Sequence, residues 1–329
     1  MTRSFPVDDI SRVAEVRRAA AALAREEGLD ETLEANAALI ATEICTNLVK
    51  HARNGEVFLS VLSDRGGPGV EILAVDRGPG MTEVARCLGD GYSSTNTSGT
   101  GLGAISRRSQ HFDIYSERER GTVLMARVGP ESRAKTAVGA VLKPIPGEEV
   151  AGDAWAFREG DEGPMLIVAD GLGHGLMAAR ASAEAISAFR RANELGPAVV
   201  LKRVHGALRG TRGAAVAVAF AEHASGSVRY AGVGNIAGVL ARPGKGSAMV
   251  SHNGTAGFHA PRLQEFSYPL PEDALIIMHS DGLTSNWNLD DHPGLRFRHP
   301  SVVAGVLYRD ASRNRDDVCV VVAKIGQTQ

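Results

Sequence analysis

The sequence predicts an α+β protein in which two domains each layer helices against sheet. Its 329 residues exceed the usual size of one domain and suit two domains of ordinary size. Apolar residues recur at helical spacing near the start of the chain, and strand-like runs follow them. In the second half, strand-like runs are broken by a pair of helical patterns, which favours a layered sandwich over alternating βα units.

Two helical patterns open the first half. In the first pattern, apolar residues recur every three or four positions, and Gly28 marks the predicted end. Asp30 is the predicted N-cap of the second helix, whose apolar stripe continues to about Ala52. The two stripes consist of Ile10, Val13, Val16, Ala20 and Leu23, and of Leu33, Ala37, Ile40, Ile44 and Leu48.

Strand-like runs follow these helices at 57–62, 70–75, 111–117 and 122–128. A stretch rich in Gly, Ser and Thr lies at 89–103, and a short helical pattern follows it. We expect these helices to pack against one mixed or antiparallel sheet.

The segment 129–136 is polar, contains a Gly-Pro pair and has no apolar period. It therefore predicts domains at 1–130 and 137–329, joined by a linker at 131–136. Beyond it, strand-like runs lie at 137–142, 165–170, 214–221, 228–233, 237–241, 274–280 and 318–325. Helical patterns cover 175–192, 197–208 and a shorter stretch near 301–309.

Composition narrows the range of partners. The 36 basic and 38 acidic residues are mixed along the chain and give a net charge of -2, so no basic face for nucleic acid is expected. The N-terminus lacks the apolar core of a signal peptide, and no apolar run reaches the ~20 residues that span a bilayer. We therefore expect a cytoplasmic protein without a membrane partner.

The three cysteines, Cys45, Cys87 and Cys319, lie among apolar residues and are expected to be buried thiols, not disulfides or zinc ligands.

Three polar residues recur every four positions in the second helix of the chain. Glu43, Asn47 and His51 would lie in a row along one face of that helix. A carboxylate there can orient or deprotonate an attacking group, and an Asn oxygen can bind a Mg²⁺ ion that a triphosphate already holds. A solvated polar face gives the same pattern.

Two glycine-rich segments could complete a nucleotide site. Asp76 follows a strand and could accept a hydrogen bond from an adenine amino group, while Gly78 and Gly80 permit close approach of the backbone. The run Gly99, Thr100, Gly101, Leu102 and Gly103 leads into a helix, whose N-terminal N–H groups can bind phosphate. Each segment alone is also typical of an ordinary turn. The second is neither a Walker A loop nor a dinucleotide fingerprint.

In their order and spacing, these elements resemble the N, G1 and G2 boxes of the GHKL (Bergerat) ATPases, whose fold is an α/β sandwich. The compact form looks like the serine/threonine kinases of the RsbT and anti-sigma factor type, since no helix with a phospho-accepting His precedes it. The resemblance implies that Glu43 is the general base, Asn47 the Mg²⁺ ligand and Asp76 the adenine reader. It also implies that Gly99 to Gly103 form the phosphate lid and that His51 has a structural role.

Four aspartates of the second half fall at loops that end or follow apolar strand-like runs. Single aspartates at such places are usually turn formers or caps. Two of these four, Asp170 and Asp281, precede a glycine directly after an apolar run. The other two are Asp153, in the segment AGDAW, and Asp316, in the segment RDDVCVV. Carboxylates, backbone carbonyls and waters form the oxygen shell that Mg²⁺ or Mn²⁺ prefers, and two such ions can activate water for phosphoryl displacement.

The order GD, DGxGHG, GVGN, SDGL and DD resembles the metal-dependent (PPM-type) protein phosphatases of the SpoIIE and RsbX branch, whose fold is an α-β-β-α sandwich. The resemblance implies that Asp170 bridges two Mn²⁺ or Mg²⁺ ions, that Gly171 gives its carbonyl and that Asp153, Asp281 and Asp316 complete the shell. Asp316 matches the closing motif better than Asp317, although adjacent carboxylates leave both open. Two departures affect the tuning of the site: Cys319 replaces the usual Ser or Thr, and no acidic residue follows Thr284.

His174 has two interpretations from sequence. Its imidazole could donate a proton to the leaving Ser or Thr oxygen, because imidazole side chains commonly serve as general acids. It could equally cap the helix that follows.

Together the two resemblances predict a bifunctional partner-switching regulator. An ATP- and Mg²⁺-dependent serine/threonine kinase domain would be fused to a metal-dependent phosphoserine/phosphothreonine phosphatase. The implied substrate is a phosphorylatable protein, a STAS-domain antagonist in a sigma-factor or stress-response pathway. The alternative is a phosphatase regulated by an N-terminal module that binds ATP or sequesters a partner without transferring phosphate.

Overall fold

The computed structural model describes residues 2–64, 67–88, 101–131, 135–260 and 262–326. The chain forms two compact units. The first contains Met1–Ala134 and Phe297–Arg309, and the second contains Lys135–Arg296 and Asp310–Gln329. The predicted α+β class is confirmed, because both units combine helices with sheet.

The elements follow one another in three stretches of chain. The first comprises β1 (Thr2–Pro6), α1 (Ile10–Glu26), α2 (Glu31–His51), β2 (Glu56–Asp64), β3 (Gly67–Val75), α3 (Val84–Cys87), α4 (Gly101–Arg108), β4 (His111–Glu117) and β5 (Gly121–Val128). The second comprises β6 (Thr136–Lys143), β7 (Asp153–Glu159), β8 (Pro164–Gly171), α5 (Leu176–Arg190), α6 (Pro197–Ala207), β9 (Ala214–Glu222), β10 (Ser227–Val233), β11 (Ala237–Arg242), β12 (Lys245–Met249), β13 (Ser251–His252), β14 (Phe266–Pro269) and β15 (Leu275–His279). The third comprises two short 3₁₀ turns (Leu289–Asp291 and Leu295–Phe297), α7 (Pro300–Ala311) and β16 (Val318–Ile325).

The first unit is built on an antiparallel sheet in the order β1-β2-β3-β5-β4. α1 and α2 contribute to the core on one face of this sheet, where Ile40, Ile44, Leu59 and Ile72 are buried. The predicted N-cap is confirmed, since Asp30 Oδ1 accepts a hydrogen bond from the backbone N of Leu33 at 2.8 Å. This cap fixes the start of the helix that carries the polar row.

α7 packs against the first unit although it lies near the other end of the sequence. Its Tyr308 ring meets Phe58 of β2 edge to face, with centroids 5.3 Å apart. A Cβ on Gly305 would lie 2.6 Å from Val123 Cγ1, so the helix backbone approaches β5 closely because position 305 has no side chain. The sequence division into 1–130 and 137–329 stays a prediction, and the structure assigns Phe297–Arg309 to the first unit.

Polar contacts fix α7 in place. Ser301 Oγ donates to Glu71 Oε2 at 2.9 Å, and the same carboxylate forms a buried ion pair with Arg127 at 3.0 Å. Near the other end of the helix, Tyr308 Oη donates to Glu56 Oε2 at 2.5 Å. Burial of a carboxylate is costly unless it keeps hydrogen-bond or ion-pair partners. Because Ser301 and Tyr308 supply such partners, these contacts also specify where the helix lies.

The second unit contains two sheets and a helical layer. One sheet has the order β13-β10-β9-β8-β7, with β14 also paired to β10, and the other has the order β12-β11-β15-β16-β6. α5 and α6 pack on the first sheet around Phe189, Val200 and Leu201. A separate buried cluster, which includes Leu166, Tyr230 and Met278, joins residues of both sheets.

Most predicted elements are present, and those that the sequence reading missed are short or polar. β1, β7, β12, β13 and β14 carry weak apolar signals, and β1 pairs with β2 at the edge of its sheet. All three cysteines are free; Cys45 and Cys319 are buried, whereas Cys87 is only half-buried. Among the described residues, no helix has both the length and the apolar character of a membrane span.

Truncation of Tyr308 should destabilise the first unit. We expect Tyr308→Ala to cost about 3–5 kcal/mol through the cavity beneath Phe58, and Tyr308→Phe to cost about 1–2 kcal/mol through the lost hydrogen bond to Glu56. Amide hydrogen exchange in β2, β3 and β5 measures the effect. Tyr268→Phe, in the second unit, is the control. Unchanged exchange in Tyr308→Ala would show that the sheet does not depend on α7.

Candidate functional site

The three predicted nucleotide elements come together in the first unit. Glu43 and Asn47 are half-buried on α2 and face the start of α4, where a Cβ on Gly101 would lie 3.5 Å from both Glu43 Oε2 and Asn47 Nδ2. The end of α2 reaches the next element, since a Cβ on Gly78 would lie 3.0 Å from the carbonyl oxygen of His51. The side chain of His51 is exposed.

Asp76 lies in a tight loop after β3. Its Oδ1 accepts a hydrogen bond from the Gly78 N–H at 2.6 Å, and its backbone N donates to Thr122 O at 2.9 Å. Burial raises the pKa of the Asp76 carboxyl, while the hydrogen bonds to Gly78 and Thr122 and the charge of Arg309 oppose the rise. Gly80 has a φ of 68°, and any side chain there would collide with the carbonyl of Glu117.

The phosphate-lid prediction is only partly within the described residues. Gly99 and Thr100 lie outside them. Gly101, Leu102 and Gly103 form the first turn of α4, and Gly103 is buried. The N–H groups at the start of this helix therefore lie beside Glu43 and Asn47.

In the second unit, strand pairing places Asp153 directly opposite Asp170 on β7 and β8. The other two aspartates flank a neighbouring pair of strands, because Asp281 follows β15 and Asp316 precedes β16. The backbone N of Ser280 donates to Cys319 O at 3.0 Å, which fixes these two strand ends together. Ser280 Oγ donates to Asp153 Oδ2 at 2.6 Å and thereby links the two pairs.

The carboxylates repel one another in a desolvated site. Burial raises the pKa of Asp170 to about 7, and the charges of Asp281, Asp316 and Asp317 add to the rise. Burial, followed by the charge of Asp170, raises the pKa of Asp153 well above its usual value. Such a set of carboxylates fits a divalent cation, which would compensate the repulsion.

The carboxylates do not form a closed cage. Within the described residues, no group of three or more His, Cys, Asp or Glu side chains is arranged to enclose a metal ion. Mg²⁺ is commonly held through one or two carboxylates while it keeps several waters, so an open arrangement still fits such an ion. Gly171 ends β8 beside Asp170, and a side chain there would collide with the carbonyl of Ala178 in α5.

The geometry distinguishes the adjacent Asp316 and Asp317. Both oxygens of the buried Asp317 are used structurally: Oδ1 accepts from Ile145 N at 2.8 Å and Oδ2 from Gly152 N at 2.7 Å. Asp316 is exposed, and within the described part of the chain its Oδ1 accepts only from the backbone N of Asp317. The carboxylate that is open to a ligand is therefore that of Asp316.

His174 is exposed and does not cap α5. The N-cap of that helix is Gly175, which has a φ of 71° and gives no side-chain capping bond. The Nδ1 atom of His174 instead lies 2.8 Å from Glu148 Oε1, so the carboxylate orients the ring. The sequence reading did not single out Glu148, because 26 residues separate the two side chains.

A comparison with known protein families decides the identity of the second unit. The model described as "Stage II sporulation protein E (SpoIIE)" matches residues 160–326, about half of the chain. This protein belongs to the SpoIIE family. The model described as "Histidine kinase-like ATPase domain" matches residues 6–128 of the same chain. The predicted pairing of a GHKL-like domain with a SpoIIE-type phosphatase domain is confirmed.

Individual relatives are similar to parts of this chain. The serine/threonine-protein kinase RsbT of Bacillus subtilis (strain 168) is 29% identical over 104 residues, which are 32% of this chain and 78% of the kinase. A solved structure described as "The bacterial stressosome: a modular system that has been adapted to control secondary messenger signaling" is 28% identical, with a TM-score of 0.54. It covers 58% of this chain and 100% of its own.

The SpoIIE phosphatase of Bacillus subtilis is similar in fold. The solved structure of its PP2C phosphatase domain with a fragment of its regulatory domain has a TM-score of 0.51 and 18% identity. The match covers 97% of this chain and 94% of that structure. The SpoIIE-family chain thus has a PP2C-type phosphatase fold next to a kinase-like ATPase domain.

Two residues without a predicted role contact the aspartates of this SpoIIE-family site. Asn235 Nδ2 donates to Asp281 Oδ2 at 2.7 Å, and Ser280 contacts Asp153 as described above. Both belong to the GVGN and SDGL motifs, so their positions were visible in the sequence. Their contacts depend on how distant loops meet.

Asp317 should be a structural residue, not a metal ligand. Asp317→Asn replaces one acceptor oxygen with an NH₂ group that faces a backbone N–H, so we expect a loss of about 1–3 kcal/mol in unfolding free energy. The matched control, Asp316→Asn, keeps an acceptor for Asp317 N and should change stability by less than about 0.5 kcal/mol. Chemical unfolding followed by fluorescence of Trp155 and Trp287 measures both variants. Equal losses would contradict the assignment.

Proposed function

We propose that this protein controls the phosphorylation state of a partner protein from both directions. The second unit removes phosphate from Ser or Thr side chains, and the first transfers phosphate to them from ATP. The observation that carries the proposal is the convergence of four carboxylates at the strand ends of a SpoIIE-family fold. The RsbT relative supports the kinase half.

The phosphatase site would hold Mn²⁺ or Mg²⁺, two ions by analogy with the implied family. The carboxylates of Asp153, Asp170, Asp281 and Asp316 and the carbonyl of Gly171 are the proposed ligands. Bound ions of this kind lower the pKa of a water molecule and stabilise in-line displacement at phosphorus. Ser280 orients Asp153, and Asn235 orients Asp281, through the hydrogen bonds described above.

His174 is the proposed general acid of the phosphatase. Its pairing with Glu148 at 2.8 Å leaves Nε2 to deliver a proton to the leaving Ser or Thr oxygen. The exposed position of the ring on the loop after Gly171 supports this role, because a protein substrate must approach from solvent.

In the first unit, the proposed roles follow the same positions. Glu43 acts as the base toward the substrate hydroxyl, Asn47 binds the Mg²⁺ of MgATP, and Asp76 accepts from the adenine amino group. Gly78 and Gly80 shape the adenine loop, and Gly99, Thr100, Gly101, Leu102 and Gly103 contact the phosphates. The proximity of Gly101 to Glu43 and Asn47 supports a single site.

The proposed partner is a STAS-domain antagonist of a sigma-factor or stress-response pathway. Its chemistry is a Ser or Thr hydroxyl that the first unit phosphorylates and the second unit restores. The similarity to the RsbT kinase and to a stressosome structure supports this partner class. In the alternative, the first unit binds ATP or the partner without phosphoryl transfer and regulates the phosphatase.

Asp170→Asn should abolish metal-dependent phosphatase activity. We expect a fall on the order of 100-fold or more in turnover of a phosphoserine peptide with Mn²⁺, because one charged ligand of the bound ions is lost. Asp161→Asn, at the far turn of the same hairpin, is the control and should keep native turnover. Hydrolysis by the native protein that continued in excess chelator would contradict the metal site.

At the ATP site, substitution of Glu43 should affect phosphoryl transfer and substitution of Asp76 should affect ATP binding. Glu43→Gln should keep its affinity for an ATP analogue in calorimetry but lose transfer of labelled phosphate to STAS proteins. Asp76→Asn should weaken binding about 10- to 100-fold, since a hydrogen bond to a charged acceptor is lost. Glu31→Gln, on the exposed first turn of α2, is the control. ATP binding without transfer in the native protein would favour the regulatory alternative.

A further inference from the structure

An exposed arginine lies beside the proposed metal ligands. Arg212 belongs to the loop between α6 and β9, and a Cβ on Gly173 would lie 3.2 Å from its Nη1 atom. Gly173 lies between Gly171, the proposed carbonyl ligand, and His174, the proposed acid. Among the described residues, Arg212 has no hydrogen bond or ion pair through its side chain. A cation at this position is therefore available to a ligand from solvent.

The backbone holds the two loops together. Leu172 N donates to Gly213 O at 3.0 Å, directly beside Arg212. Gly213 itself has a φ of 79°, and a Cβ there would lie 2.8 Å from the ring of Phe258. The arginine is thus placed by a fixed contact between loops, although its own side chain extends into solvent.

An apolar rim surrounds this position. We use the name apolar rim for four side chains that are unusually exposed for their type: Leu172, Leu176, Met177 and Phe258. Leu176 is 68% exposed and Phe258 is 64% exposed. Leu172 and Phe258 both adjoin Gly213, while Leu176 and Met177 form the first turn of α5 after His174. Exposed apolar groups next to a functional site commonly mark a surface that binds another protein.

We propose that Arg212 and the apolar rim form the substrate-docking surface of the phosphatase. Arg212 binds the phosphate group of a phosphorylated protein, and the rim contacts apolar residues beside the phosphoserine or phosphothreonine. A guanidinium matches a phosphate dianion in charge and in hydrogen-bond geometry. The inference rests on the proposed phosphatase activity and adds the residues that bind its substrate.

The test compares Arg212→Ala with Arg212→Lys and with the control Arg209→Ala, which removes another exposed arginine three residues away. With p-nitrophenyl phosphate and Mn²⁺, we expect Arg212→Ala to raise KM about 10- to 100-fold, the equivalent of one charged hydrogen bond. The Lys variant should be intermediate, because it keeps charge without the bidentate geometry. Arg209→Ala should match the native protein.

Two further readouts distinguish phosphate binding from other effects. Inorganic phosphate should bind the Mn²⁺-loaded native protein in calorimetry and bind Arg212→Ala at least about 10-fold more weakly. The Mn²⁺ concentration that gives half-maximal activity should be the same in both, since Arg212 is not a metal ligand. Phe258→Ala should lower kcat/KM for a phosphoserine peptide with apolar flanking residues by a larger factor than for p-nitrophenyl phosphate.

Native KM and native phosphate affinity in Arg212→Ala would overturn the role of the arginine. Equal losses on both substrates in Phe258→Ala would overturn the role of the rim. An inactive native protein would instead contradict the proposed phosphatase, and the phosphate-binding comparison would still test Arg212.

Discussion

The pairing of β7 with β8 is the constraint on which the phosphatase site depends. It places the Asp153 and Asp170 carboxylates opposite one another in a partly desolvated position, where burial raises the pKa of both and the charge of Asp170 adds to the rise at Asp153. Folding alone does not favour such an arrangement, because the like charges repel and each has lost water. The surrounding structure must hold the two strands in register against this repulsion, and a bound cation would relieve it.

The loops around this pair are fixed by groups that do no chemistry themselves. Asp317 uses both oxygens on the backbone of Ile145 and Gly152, and Ser280 connects Asp153 to the backbone of Cys319. In this way the backbone N–H of residue 319, not its side chain, makes the contact to Ser280. The Cys in place of the usual Ser or Thr therefore leaves this hydrogen bond intact.

In the first unit, the comparable constraint is a sheet with two apolar faces. α1 and α2 cover one face, and α7 contributes buried residues such as Val302 and Val306 to the unit from near the other end of the sequence. The sequence predicted this helix from its pattern, but apolar residues at helical spacing do not say which surface they cover. The hydrogen bonds from Ser301 to Glu71 and from Tyr308 to Glu56 specify which surface α7 covers. These contacts join residues about 230 positions or more apart.

The sequence by itself determined the α+β class, the long helices, most strands and the motifs that match the two families. These features depend on local periodicity and on short patterns such as the Asp-Gly pairs, which can be read along the chain. Only the tertiary structure assigned α7 to the first unit. It also showed that Asp317 binds backbone amides while Asp316 stays exposed. Finally, it paired His174 with Glu148 and placed Arg212 beside Gly173. Each of these depends on the meeting of segments far apart in sequence, and no local pattern encodes which distant side chain or surface will be there.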